Sequence, residues 1–371
     1  MIRVLHVIGV MDRGGAETMI MNLYRAMDRS KIQFDFLVHE QREGDYDAEI
    51  RELGGRFFRL PRFKGFNEHS YRRQCRSLFA AHQEWRVVHG HIGSSAPIYL
   101  SEAKKAGRYA IAHSHSQNFI GGIMGLAFSM VACPVRYVAD YFFACSPEAG
   151  KDRFGERIVE SARFSVIANG IDLNRYTCNQ EMHTAAKAAF GLSGYPVIAH
   201  TGRLIPVKNH SFLLDVFKRV HEKLPDAILV CAGRGELEES LRRQADALGV
   251  SGSIRFLGVV DDVPSILRAA DVFVFPSIKE GLPLAVVEAQ ASGLSVLMST
   301  GVPESAVVSD RALRMPLDAG ADAWSQVVLS WVRKEVSMRT DACEQVRAHG
   351  FDIVETAMWL TDFYNQVAES R

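Results

Sequence analysis

Residues 275–289 read Phe275-Pro276-Ser277-Ile278-Lys279-Glu280-Gly281-Leu282-Pro283-Leu284-Ala285-Val286-Val287-Glu288-Ala289. The apolar run 272–276 has the length and residue types of a buried strand that stops at Pro276. A loop carrying Glu280 follows, and Pro283 suits the first turn of a helix. Glu288 then falls on that helix, eight residues beyond Glu280. The N–H groups of Gly281 and Leu282 point towards the same region as the loop carboxylate. A carboxylate on the helix can grip two vicinal hydroxyls of a ribose, and one in the loop can orient sugar hydroxyls or balance a developing cation. Taken singly, Glu288 is a solvated helix residue and Glu280 a loop charge; the flanking motifs decide against that reading.

The same alternation of short apolar runs and amphipathic stretches extends over the whole chain, the pattern of parallel α/β units. In the first half the expected strands are residues 3–8, 34–38, 56–60, 87–89, 109–112, 141–144 and 165–167; in the second they are 197–201, 227–232, 253–257, 272–276 and 295–298. Residues 211–223 and 236–248 have helical spacing, and Gly249 reads as a helix stop. Ala168-Asn169-Gly170-Ile171-Asp172 is a turn-rich break, followed by a polar stretch over 174–184. The chain therefore divides into two Rossmann-like, doubly wound domains facing across a cleft, residues 1–172 and 173–353, with a final helix at about 354–371 packing back on the first. In such sheets ligands bind at the carboxyl ends of the strands.

Composition limits the function. With 371 residues there is room for two cores. Lys+Arg and Asp+Glu both number 43, so no global field draws in nucleic acid. The six cysteines are scattered without a C-x-x-C pair, which argues against disulfides or a cysteine zinc site and fits a reducing, cytoplasmic compartment. Residues 2–8 are too short and too β-like for a signal segment and run directly into a glycine loop.

Two further segments handle phosphate. Gly14-Gly15 lies between the first strand and a helix over about 16–27, where a bare backbone and free N–H groups can meet an anion. After the strand 197–201 comes Gly202-Arg203-Leu204-Ile205-Pro206-Val207-Lys208-Asn209, a glycine turn with two cations five residues apart, suited to a diphosphate. Gly233-x-Gly235 approaches a dinucleotide fingerprint, but Glu238 stands where the third glycine belongs, and NAD is disfavoured.

With these pieces in order the chain resembles the retaining glycosyltransferases of family 4, which have the GT-B fold. The residues that carry the resemblance are Gly14-Gly15, Gly202-Arg203 with Lys208-Asn209, residues 232–237, 256–258 and 270–277, and the E-x7-E element from Glu280 to Glu288. His113-Ser114-His115 and residues 144–150 resemble the branch that builds capsular and extracellular polysaccharide. The resemblance implies that Arg203 and Lys208 hold the donor diphosphate and stabilise the leaving nucleotide. It implies that Glu288 binds the ribose, that Glu280 with Gly281, Leu282, Pro283 and Leu284 holds the donor sugar, and that Gly15 offers its N–H to the phosphate. One histidine of the pair reaches the sugar, and the family spacing favours His115 over His113. His89 and His91 read as acceptor-side or structural. No metal and no cofactor are implied, and no carboxylate cluster suggests a metal site. The implied reaction moves a hexose from a UDP- or GDP-sugar, UDP preferred, to a saccharide or polyprenyl-linked acceptor. A non-catalytic sugar-nucleotide-binding component, or an epimerase on the same fold, is the competing reading.

Residues 51–76 carry a local excess of six positive charges, including Arg62, Lys64, Arg72 and Arg73, with four phenylalanines interleaved. Together with the charge-free segment 116–135, they suggest peripheral contact with the anionic inner face of the cell membrane. Glycines and Pro134 make that segment a poor spanning helix.

Overall fold

A strand of a parallel sheet is covered on both faces, so it reads as an almost unbroken apolar run. The runs in this chain fold accordingly. The computed structural model describes residues 1–115, 133–334 and 339–369. Two units divide it, Met1–Gly170 with Asp352–Arg371, and Ile171–Phe351.

In the first unit β1 (Ile2–Ile8), β2 (Ile32–Val38), β3 (Arg56–Arg59), β4 (Trp85–Gly90), β5 (Tyr109–Ser114), β6 (Tyr141–Ala144) and β7 (Phe164–Val166) form one sheet in the order β3-β2-β1-β4-β5-β6-β7. In the second, β8 (Val197–Thr201), β9 (Ile228–Ala232), β10 (Ile254–Gly258), β11 (Val272–Phe275), β12 (Ser295–Ser299) and β13 (Ala312–Met315) follow the order β10-β9-β8-β11-β12-β13. All the pairings are parallel. Each sheet thus has the doubly wound order 3-2-1-4-5-6, extended by one strand in the first. The order reverses between β1 and β4, and between β8 and β11, and there the crossover helices leave on opposite faces. The fold is α/β, with two Rossmann-like domains.

The last helix, Ile353–Glu369, belongs to the first unit. Its buried stripe of Ile353, Ala357, Leu360, Tyr364 and Val367 joins the core formed by β1, β2 and the helix Gly15–Ala26.

Several boundaries differ from the sequence reading. β5 runs on to Ser114, which pairs with Ala144 of β6, so His113 lies inside the strand rather than after it. The polar stretch 174–184 contains helix: Asp172 caps Leu173–Tyr176, and Asn179 caps Gln180–Ala189, each by a side-chain oxygen that accepts a backbone N–H. β13 was not foreseen, because its residues are half exposed and carry Arg314. Of the charge-free segment 116–135, residues 116–132 lie outside the described residues. No helix among the described residues is long and apolar enough to cross a membrane.

One buried carboxylate ties β2 to the amino ends of β1, β3 and β4. Asp35 of β2 accepts from Arg3 Nε of β1 at 2.8 Å, from Arg56 Nη2 of β3 at 2.6 Å and from Trp85 Nε1 of β4 at 2.7 Å. Burial alone would raise its pKa, but the hydrogen bonds from Arg3, Arg56 and Trp85 hold it down at about 2. A carboxylate whose folded pKa is depressed adds stability above its unfolded value and loses it as pH falls through the folded one. Asp35 should therefore contribute about 2 kcal/mol above pH ~4 that disappears towards pH 2. Urea unfolding at pH 7 and pH 3 should show this acid loss in the natural chain and a much smaller one in Asp35→Asn; equal acid losses would overturn the assignment.

Candidate functional site

In the second unit three loops converge at the carboxyl ends of β8, β9 and β11. The turn after β8 places Arg203 in the open, where it makes no ion pair or hydrogen bond through its side chain with any described residue. The chain then tightens into a single helical turn, Pro206–Lys208. Asn209 closes it with φ of 54°, the one positive φ outside glycine among the described residues, and begins the helix His210–Lys223. Asparagine tolerates this left-handed conformation better than most residues. The turn aims Lys208 inward, where its Nζ donates to Glu280 Oε1 at 2.7 Å and sits 4.8 Å from the centre of the Phe275 ring. Lys208 and Glu280, 72 residues apart, are thus one ion pair, each side chain about 15% exposed.

Backbone contacts hold the Glu280 loop. Glu280 N–H donates to the Gly301 carbonyl and Ile278 N–H to that of Val207. A Cβ on Gly301 would overlap the Ile278 carbonyl oxygen, so only glycine permits this approach. The N–H groups of Gly281 and Leu282 donate to no described residue, and a Cβ on Gly281 would meet open space. Pro283 is the residue before the helix Leu284–Ala291, which carries Glu288. Burial raises the Glu288 pKa, while the Tyr176 hydroxyl that donates to it and the nearby Arg175 charge lower it, leaving it raised. The sequence reading missed Tyr176; it lies in the stretch taken as polar linker, and no local pattern links it to Glu288.

Gly233 and Gly235 have a structural task. Gly233 has φ of 143°, and a Cβ there would overlap the Gly202 carbonyl oxygen. At Gly235 it would overlap that of Leu204. Gly202 N–H donates to the Ala232 carbonyl and Leu204 N–H to that of Arg234, so the loop after β9 braces the one that carries Arg203. The dinucleotide-like spacing has this cause.

In the first unit Gly14 precedes the helix Gly15–Ala26, and a Cβ on Gly15 would again meet open space. Beside this helix N-terminus, at the β1/β4 reversal, lies a pocket of about 330 Å³ whose lining includes Gly9, Ala16, His91, His113, His115 and Arg153. Five histidines meet there: His6 from β1, His89 and His91 from the end of β4, His113 and His115 from the end of β5. His115 Nε2 is 2.7 Å from His91 Nδ1, and His91 Nε2 is 2.9 Å from His6 Nδ1. His89 bridges the Tyr364 hydroxyl (2.6 Å) and His113 Nδ1 (3.1 Å). Burial, reinforced in most of them by neighbouring histidines, lowers all five pKa values, to about 3 in His6 and about 4 in His115, so the rings are neutral at pH 7. The sequence reading saw two histidine pairs and passed over His6 inside an apolar strand. Only the β1-β4-β5 adjacency joins them.

The basic stretch reads differently in the structure. Arg72 is bound by Glu68 and by the buried Glu102, Arg76 also by Glu102, Arg56 by Asp35 and Arg59 by Asp47. Arg72 is therefore a structural cation rather than part of a footprint, because its charge is already matched. Arg62, Lys64 and Arg73 are exposed and form no ion pair with described residues, and Phe66 beside them is 89% exposed.

Known proteins agree with this architecture. The profile described as "Glycosyl transferases group 1" matches residues 184–349, and "Glycosyltransferase Family 4" matches 13–175. A Bacillus subtilis protein bearing the name of a glycosyltransferase, EpsF, is 33% identical over 98% of this chain and 96% of its own. This chain is a family 4 glycosyltransferase. An Escherichia coli relative, 30% identical over 56% of each chain, is named UDP-Gal:alpha-D-GlcNAc-diphosphoundecaprenol alpha-1,3-galactosyltransferase. In fold, the glycosyltransferase superposes on the Anabaena protein HepE, whose crystal structure holds UDP, with a TM-score of 0.80 at 16% identity over 99% of this chain and 100% of that one. The fold is GT-B.

The glycine contacts of this glycosyltransferase predict a contrast. Gly233→Ala should lose about 1–3 kcal/mol of stability, since both its φ and the Gly202 carbonyl forbid a Cβ, while Gly281→Ala should stay within about 0.5 kcal/mol. Denaturant midpoints of the two variants measure this, and equal midpoints would contradict the packing described.

Proposed function

We propose that this glycosyltransferase moves a hexose from a UDP-sugar, with retention of configuration, to a saccharide or polyprenyl-linked saccharide in bacterial surface polysaccharide synthesis. The observation that carries this reading is the exposed Arg203 beside the Lys208–Glu280 pair, at the carboxyl edge of β8 and β11. The name of one relative supports it, the galactosyltransferase with a UDP-sugar donor and a diphosphoundecaprenol-linked acceptor.

In the proposed step the acceptor hydroxyl oxygen bonds to the anomeric carbon as its bond to the diphosphate oxygen breaks. The acceptor proton passes to the departing phosphate on the same face. Arg203 and Lys208 stabilise the charge that develops on that phosphate, a preorganised electrostatic role. Glu280 holds the sugar with the N–H groups of Gly281 and Leu282, and Glu288 holds the ribose. Two protein cations and helix N-termini take the place of Mg²⁺ or Mn²⁺ at the diphosphate.

Arg203→Ala should cost about 2–4 kcal/mol of transition-state stabilisation with an unchanged melting temperature, because its exposed side chain makes no ion pair or hydrogen bond with the described residues. Slow release of the nucleoside diphosphate and sugar from a panel of UDP- and GDP-sugars is the assay, repeated in EDTA. Normal turnover in the variant, or an EDTA loss that Mg²⁺ or Mn²⁺ restores, would overturn the diphosphate assignment. Binding without any release would leave a non-catalytic component.

The acceptor side has a surface to match a lipid carrier. The loop of Arg62, Lys64 and Phe66, with Arg73 nearby, suits a peripheral, cytoplasmic-face contact with anionic lipid, each cation adding up to ~1 kcal/mol. Arg62→Glu with Lys64→Glu should weaken co-sedimentation with anionic vesicles at low salt. Equal binding of the natural chain to neutral and anionic vesicles, or to neither, would favour a soluble acceptor.

A further inference from the structure

The histidine cluster has more ring nitrogens than its hydrogen bonds use. Among the described residues His6 Nε2, His113 Nε2 and His115 Nδ1 are buried without a partner. Buried polar atoms without a partner are rare, and the orphan that bears on a ligand here is His113 Nε2, since His115 meets His91 through its other nitrogen, Nε2. One ring nitrogen from each of His91, His113 and His115 lies within 4.8 Å of the other two, and the three residues line the pocket at the β1/β4 reversal. His113 is 5% exposed, while His91 and His115 are half-buried beside it.

We propose that His91, His113 and His115 form a binding site for one divalent transition-metal ion of the Zn²⁺ class, with its remaining coordination position open to the pocket. The donor set fits that class. Imidazole nitrogens suit Zn²⁺, Co²⁺ and Ni²⁺, whereas Mg²⁺, Ca²⁺ and Mn²⁺ take oxygen ligands, and none of these three residues supplies a carboxylate. Three protein ligands and an open position are the form of a site that meets a ligand rather than one that only braces a fold.

The surroundings orient the ligands. When His113 Nδ1–H donates to His89 Nε2, and His89 Nδ1–H to the Tyr364 hydroxyl, His113 Nε2 is left as a bare lone pair, the ligating form. A metal-bound histidine characteristically donates its other N–H in this way. His91 has the same support, with His6 Nδ1 2.9 Å from its Nε2. His91 Nδ1 and His115 Nε2 stand 2.7 Å apart, and an ion at about 2.0–2.1 Å from each nitrogen would replace the proton they share and spread the rings slightly. Arg153 lines the same pocket, so the open position faces a second positive charge and suits an anionic oxygen ligand. His115 then presents a metal ion rather than a bare imidazole to whatever enters.

The test uses the full chain, stripped with a chelator and dialysed, and reads metal rather than transfer, so it stands or falls apart from the donor assignment. Titration with Zn²⁺ should give one bound ion per chain by elemental analysis after gel filtration. Co²⁺ in its place should give the ligand-field bands of a tetrahedral nitrogen site. His115→Gln and His113→Ala should each weaken binding by about 100-fold or more, while His69→Gln, at an exposed position, should not. No retained ion, the spectrum of octahedral aqueous Co²⁺, or equal affinity in His115→Gln would overturn the proposal. Should His113→Ala fail to fold, the spectrum of the natural chain and the His115→Gln affinity decide.

Discussion

A parallel strand can follow another only after the chain has crossed back along a face of the sheet, so the strands in a domain all end at one edge. That constraint governs both halves of this protein. In each, the strand order reverses at the central pair, and the loops that leave there part towards opposite faces. Residues far apart in sequence are then neighbours because they end adjacent strands. Arg203 and Lys208 follow β8 while Glu280 follows β11. The five histidines lie in the carboxyl halves of β1, β4 and β5 or just past them, and meet by the same rule. The chemistry at each edge is therefore set by the residues of each strand's carboxyl half and of the loop that follows it.

The two cations after β8 are prepared differently. Lys208 is fixed before any ligand arrives, by Glu280 on one side and the Phe275 ring on the other. Its ordering entropy is already spent in folding, so an anion meets a positioned charge. Arg203 is exposed and unpaired among the described residues, so its ordering is still to be met when a ligand binds it. A fixed charge and an exposed planar fork offer an anion two different kinds of contact, a point charge already in place and a bidentate one that forms on binding.

Much of this was legible in the sequence because it is local. Strand runs, the E-x7-E spacing and the glycine turn after β8 are set by neighbours within about ten residues, and the strand orders follow from parallel connections. What escaped depends on distant partners. Arg72 looked like a surface cation until Glu102, thirty residues on, was found to hold it. Tyr176 sat in an unremarkable polar stretch, and its meaning comes from Glu288. His6 looked like an interruption of an apolar strand. Gly233-x-Gly235 suggested a cofactor loop, whereas its glycines serve the approach of one backbone to another. β13, half exposed and carrying an arginine, lacks the apolar run that marks the inner strands.

The two edges of the first sheet treat buried polarity in opposite ways. At the amino edge the Asp35 carboxylate is ionised and surrounded by Arg3, Arg56 and Trp85, a network that secures four strands and leaves nothing to offer a ligand. At the carboxyl edge the histidines are neutral and only partly joined, with three nitrogens unpartnered among the described residues. A fully satisfied network rigidifies, while an incomplete one keeps a standing cost that stability alone would remove. Replacing His113 by an apolar residue of similar size would remove one such orphan, so its presence beside the pocket argues for a partner from outside the fold. The sheet is pinned where its strands begin, and its unsatisfied chemistry is held where they end.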